Sequence, residues 1–143
     1  MNIVKKIIAV DFDDTVVKQP LDSKYPDVGP TIKECLPVLR QLVAKGHKLI
    51  LWTVRDMGQD GILKAVQWYQ DQQIPLYGVN SRPENDTTTE EAIRMRSSTS
   101  PKVRANLYID DAALGCPLIN EPGWRPYVNW ATVEGELIKK NYL

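Results

Sequence analysis

Ile7-Ile8-Ala9-Val10, followed at once by Asp11-Phe12-Asp13-Asp14-Thr15, decides how the rest of this chain is read. Four apolar residues without alternation suit a strand buried on both faces, the habit of parallel sheets covered by helices. The pattern returns at 49–52, 76–79 and 107–109, and a second acidic pair, Asp110-Asp111, follows the last of these runs. In open α/β sheets ligands bind beyond the carboxyl ends of the strands. Carboxylates gathered at one such edge repel one another unless a cation neutralises them. Such a cluster is costly as structure alone and suited to a metal-assisted phosphate site.

Helical spacing fills the gaps between the apolar runs. Ile32, Leu36, Leu39 and Val43 recur along one face of a 3.6-residue period, Thr31 and Glu34 have capping-box spacing, and Gly46 stands at the expected stop. Pro37 predicts a kink or a later start. A second helix fits 61–72, with Ile62, Val66 and Tyr69 on one side and Pro75 beyond its exit, and a last helix fits 133–140. Strands alternating with helices predict an α/β domain with a mostly parallel, doubly wound, three-layer (Rossmann-like) sheet. Residues 81–100 read as a polar segment with one short helix, and 115–129, holding three prolines and two glycines, as a long irregular loop.

At 143 residues the chain suits a single domain, 1–143, able to bury roughly 68–70% of its unfolded surface. Its 18 basic and 18 acidic residues cancel, which argues against a general nucleic-acid or anionic-membrane binder. Cys35 and Cys116 lack metal-ligand spacing and predict free thiols in a reducing cytoplasm. No stretch approaches a membrane span, and the apolar run after Lys5-Lys6 is too short for a signal peptide.

In order along the chain stand Asp-x-Asp-x-Thr after a strand (Asp11, Asp13, Thr15), a strand ending in Thr53, a lysine at Lys102, and Asp110-Asp111 after a strand. Four such elements in this order resemble the haloacid dehalogenase (HAD) superfamily, most of whose members are Mg²⁺-dependent phosphohydrolases. The resemblance implies a phosphatase acting on a phosphate monoester of unspecified class. It makes Asp11 the nucleophile, forming an aspartyl-phosphate, and Asp13 the general acid and base. It also implies Mg²⁺ held by Asp11, the carbonyl of Asp13, Asp110 and Asp111, with Thr53 and Lys102 gripping the phosphoryl group. A cluster of like charges would raise the pKa of Asp13 toward neutrality.

Many members of that superfamily carry an inserted cap domain. Here only about fifteen residues separate Thr15 from the first helix, too few for one. The resemblance is therefore to a capless member, whose substrate choice falls to short loops, a large substrate or a second subunit of a homo-oligomer. Around the motifs the readings are plainer. Asp14 is a turn residue, Arg55 either contacts substrate or is a solvated loop arginine, and Arg104 competes with Lys102 for the lysine role. His47 is an exposed turn residue, and the four tryptophans serve packing. Two other classes stand beside the enzyme: a receiver-like phospho-acceptor domain, which needs an acceptor Asp where the third strand here ends in Asn80, and a catalytically silent HAD-like binding protein.

Overall fold

Ile7–Val10 forms strand β1, buried along its whole length. The computed structural model describes residues 3–83 and 101–143. β1 pairs in parallel with β2 (Lys48–Leu51) on one side and with β4 (Leu107–Ile109) on the other, and β2 pairs in parallel with β3 (Gly78–Val79). The order β3-β2-β1-β4 sets the first strand inside the sheet, between strands that come later in sequence. Helix α1 (Cys35–Ala44) joins β1 to β2, and α2 (Gly61–Asp71), preceded by a 3₁₀ turn at Gly58–Asp60, joins β2 to β3. Helix α3 (Trp130–Lys139) follows β4. The chain is an α/β protein with a parallel four-stranded sheet.

The register sorts the core by face. Ile8, Val10, Leu49, Leu51 and Ile109 share one side and pack with buried residues of all three helices, among them Leu39, Tyr69 and Trp130. Ile7, Ala9 and Ile50 point the other way and pack with Val103 and Tyr108. Among the described residues, helices therefore line one face of the sheet. The short helix expected within 81–100 falls largely outside the described residues.

Local chemistry shifts several expected boundaries. Pro37 occupies the first turn of α1, where backbone N–H groups have no intrahelical acceptor, so the helix begins late and without a kink. The Thr31–Glu34 capping box does not form. Glu34 sits at φ 70° with no side-chain cap, and the Thr31 hydroxyl instead accepts the Trp68 indole N–H at 3.2 Å. The buried face of α1 is Cys35, Val38, Leu39 and Leu42, and that of α2 is Gly61, Ala65, Trp68 and Tyr69. Both are turned by about one residue from the expected stripes (a step of about 100° on a helix), because small residues, Cys35 and Ala65, face the sheet and let the helices approach it.

Residues 115–129 hold more order than a loop. Leu118–Ile119 (β5) and Tyr127–Val128 (β6) pair antiparallel, and Asn129 caps α3 by accepting the Thr132 N–H at 3.2 Å, so this helix starts before residue 133. Strands of two residues are too short to show alternation. His47 is buried rather than exposed: Nδ1 accepts the Lys6 N–H at 3.0 Å, which leaves Nε2 to donate to the Tyr142 carbonyl at 2.7 Å. Cys35 and Cys116 are free thiols, and among the described residues no helix is long and apolar enough to cross a membrane.

The three helices of the described residues end alike. In α2 the Gln73 N–H meets the Gln70 carbonyl at 3.0 Å and the Ile74 N–H meets the Tyr69 carbonyl at 3.1 Å, a Schellman pair closed by a left-handed residue. At α1 that residue is Gly46 (φ 91°), but at α2 it is Gln73 (φ 56°). A side chain there is strained, so Gln73→Gly is expected to stabilise the fold by about 0.5–1 kcal/mol, read as a shift in urea midpoint at constant slope.

Candidate active site

Beyond Val10 the chain turns tightly: the Phe12 carbonyl accepts the N–H groups of Thr15 at 3.1 Å and Val16 at 2.8 Å, and Asp14 takes φ 61°. The turn alternates the side chains. Phe12 is fully buried, edge-on to Trp68 at 5.8 Å, while Asp11 and Asp13 are half-buried on either side of it in sequence. Asp14 is indeed a turn residue, but a buried one, paired with Arg125 Nε at 3.2 Å. Burial pushes its carboxyl up, and the Gln19 N–H that it accepts pulls the other way.

The neighbouring end of β4 brings the second acidic pair alongside. Carboxylate oxygens of Asp11, Asp110 and Asp111 all lie within 4.8 Å of one another. The Thr15 hydroxyl lies 2.9 Å from Asp11 Oδ2 and 3.1 Å from Asp111 Oδ1, and it accepts the Asp111 N–H at 3.1 Å. One hydroxyl hydrogen cannot serve both carboxylates at once. Burial, the hydrogen bond with Asp111 and the charge of Asp110 together push Asp11 up to about 9. Three hard oxygen donors whose full ionisation is this unfavourable suit a small divalent cation, which would restore the charged state.

The remaining expected residues are less uniform. The Asp13 carboxylate stands outside the three-carboxylate group. It is held by Arg55 (Nε to Oδ2 at 2.7 Å, Nη2 to Oδ1 at 2.8 Å) and by Gln19 Nε2 to Oδ1 at 2.6 Å. Its hydrogen-bonding neighbours are donors, so the like-charge surroundings expected for Asp13 belong to Asp11 instead. Arg55 is neither solvated nor open to substrate: it is 2% exposed, and every N–H of its guanidinium has an acceptor within the chain.

Thr53 follows β2, as expected, but its backbone N–H is spent on Asn80 Oδ1 at 2.8 Å, while Asn80 Nδ2 returns a bond to the Thr53 carbonyl at 3.0 Å. The Thr53 hydroxyl accepts the Arg55 N–H at 3.1 Å and keeps its own hydrogen for a ligand. Lys102 is exposed, its ammonium 5.0 Å from the centre of the Tyr108 ring. Arg104 lines a cavity of about 400 Å³ with Lys5, Lys6 and Lys48, beside the amino ends of β1 and β2 and so at the opposite end of these strands from the acidic group.

Gln19 and Asn80 are site residues that the motifs did not reveal. Only the place of Asn80 at the end of the third apolar run set it apart in the sequence; in the structure its backbone takes φ 51°. A second cavity, about 440 Å³ and mostly apolar, runs between β4 and α3 with Asp110 among its walls.

No protein-family model matches the chain, and no curated protein matches it. Among solved structures it is similar to a conserved protein of Bacteroides thetaiotaomicron, at 29% identity and a TM-score of 0.67, over 96% of this chain and 92% of that one. The likeness is one of fold. It attaches no chemistry to the acidic edge, which must be read from its own geometry.

Proposed function

We propose that this chain is a Mg²⁺-dependent phosphatase of HAD type, built on a capless, three-layer, doubly wound domain. The observation that supports it most is the meeting of Asp11, Asp110 and Asp111 at the carboxyl edge of a parallel sheet, where α/β proteins bind ligands. In this reading those three residues hold the cation, with the Asp13 carbonyl completing the protein's share. When bound, Mg²⁺ neutralises the carboxylates and the phosphate dianion so that the two can approach.

Asp11 then attacks phosphorus, the ester oxygen departs with a proton from Asp13, and an aspartyl-phosphate remains. Asp13 next takes a proton from water as that water attacks the aspartyl-phosphate, releasing inorganic phosphate and restoring both carboxyl groups. The Thr53 hydroxyl and the Lys102 ammonium bind the non-bridging oxygens. Free cysteines suit a cytoplasmic setting.

The purified chain should release phosphate from 4-nitrophenyl phosphate with millimolar Mg²⁺ and stop when a chelator is added. Turnover that persists unchanged in chelator would remove the cation from the reading.

A further inference from the structure

Arg55 and Asp13 are 42 positions apart in sequence, yet the buried guanidinium and the half-buried carboxylate meet in a two-pronged ion pair. Besides its fork on Asp13, Arg55 donates from Nη1 to the carbonyls of Pro26 at 2.8 Å and Gly61 at 3.2 Å, and from Nη2 to that of Asp27 at 3.0 Å. Its guanidinium also lies 5.1 Å from the Phe12 ring centre and 5.2 Å from that of Tyr25. Gln19, 4% exposed, is fixed in turn: its N–H donates to Asp14 Oδ1 at 3.1 Å, and its Oε1 accepts the Ser23 hydroxyl at 3.0 Å.

A carboxylate offers about four lone-pair directions, two on each oxygen. On Asp13, Oδ1 receives both Arg55 Nη2 and Gln19 Nε2, whereas Oδ2 receives only Arg55 Nε. One direction is left, on Oδ2. A side chain as short as aspartate, gripped at both oxygens from two sides, cannot rotate without breaking several of these bonds.

We propose that Arg55 and Gln19 are positioning residues that lock Asp13 in one orientation and leave a single Oδ2 lone pair through which it exchanges protons with the leaving oxygen and with water. The proposal rests on the phosphatase reading above and adds the element that reading lacks, a reason for Asp13 to act at one defined place. Arg55 touches no substrate, so its effect on chemistry passes through Asp13. Lysine cannot reproduce the fork, because its ammonium is a point donor without the planar pair of N–H groups.

The test compares kcat/KM for two substrates of the full chain with Mg²⁺. 4-Nitrophenyl phosphate has a leaving group that departs without a proton, whereas glycerol phosphate has one that needs it. In Arg55→Lys and Gln19→Met, kcat/KM for the alkyl ester should fall about tenfold or more beyond the fall for the aryl ester, and Asp13→Asn should show the same bias more strongly. Equal losses on both esters would overturn the positioning role while leaving the phosphatase reading intact, provided Asp11→Asn is inert. Should Arg55→Lys fail to fold, Gln19→Met, which keeps side-chain length and the arginine fork, decides the matter. Wild-type protein that hydrolyses neither ester would remove the phosphatase reading and this proposal together.

Discussion

Asp11→Asn abolishes Mg²⁺-dependent phosphate release, by about a thousandfold or more, if the carboxylate beyond β1 is the nucleophile. An amide is nearly the same size, so the turn at Phe12 and the Thr15 contact can survive the change and the protein should stay folded. What is lost is the attacking anion and one of the three carboxylates that gather within 4.8 Å. Trapping offers a second readout: wild-type protein quenched during turnover should carry acid-stable, base-labile phosphate, and the variant none. Equal turnover by both proteins would reject the assignment of Asp11.

The second large effect is on stability. Asp11 is pushed from its ordinary value of 3.8 up to about 9, with burial as the first cause. An unfolded chain gives up that proton near its ordinary value, so across the interval the folded state holds a proton that the unfolded state has lost. The contribution of Asp11 to folding stability is therefore full below about pH 4 and falls as pH rises toward about 9. In chelator the melting temperature should decline steadily between pH 5 and 8.5.

Millimolar Mg²⁺ should cancel most of that decline, because a cation favours the ionised cluster and binds only where the folded chain assembles it. Asp11→Asn should flatten the slope even without metal. A slope that is the same in wild type and variant, or that Mg²⁺ leaves untouched, would detach the acidic cluster from cation binding.

Residues that act through their immediate neighbours in sequence were legible. A strand buried on both faces has no alternation, so 7–10 and 107–109 stood out with their observed limits, and the acidic pairs after them followed. Pro37 and Gly46 marked where α1 starts and stops because each constrains its own backbone. Helix faces were harder to place. Large aliphatic residues suggested one stripe, whereas the packed faces turn on Cys35 and Ala65, whose small size matters only once a sheet lies beneath them.

Least legible were the partners of polar side chains. Nothing near Arg55 in sequence announces a carboxylate 42 residues earlier, and Gln19 carries no motif at all. His47 looked like an ordinary turn residue after a helix-ending glycine. Its burial depends on a carbonyl at Tyr142, 95 residues further along the chain.

The Thr15 hydroxyl touches a carboxylate 96 residues away, so the acidic edge closes most of the polypeptide into one loop. Bringing together points that far apart costs about 4 kcal/mol of chain entropy from length alone. That cost favours forming such a contact late in assembly, after strands nearer in sequence have docked. An ion held across Asp11 and Asp111, as the phosphatase reading requires, would then serve as a reversible clasp on the finished molecule. It would lengthen the lifetime of the native state by slowing its escape and do little to hasten its formation.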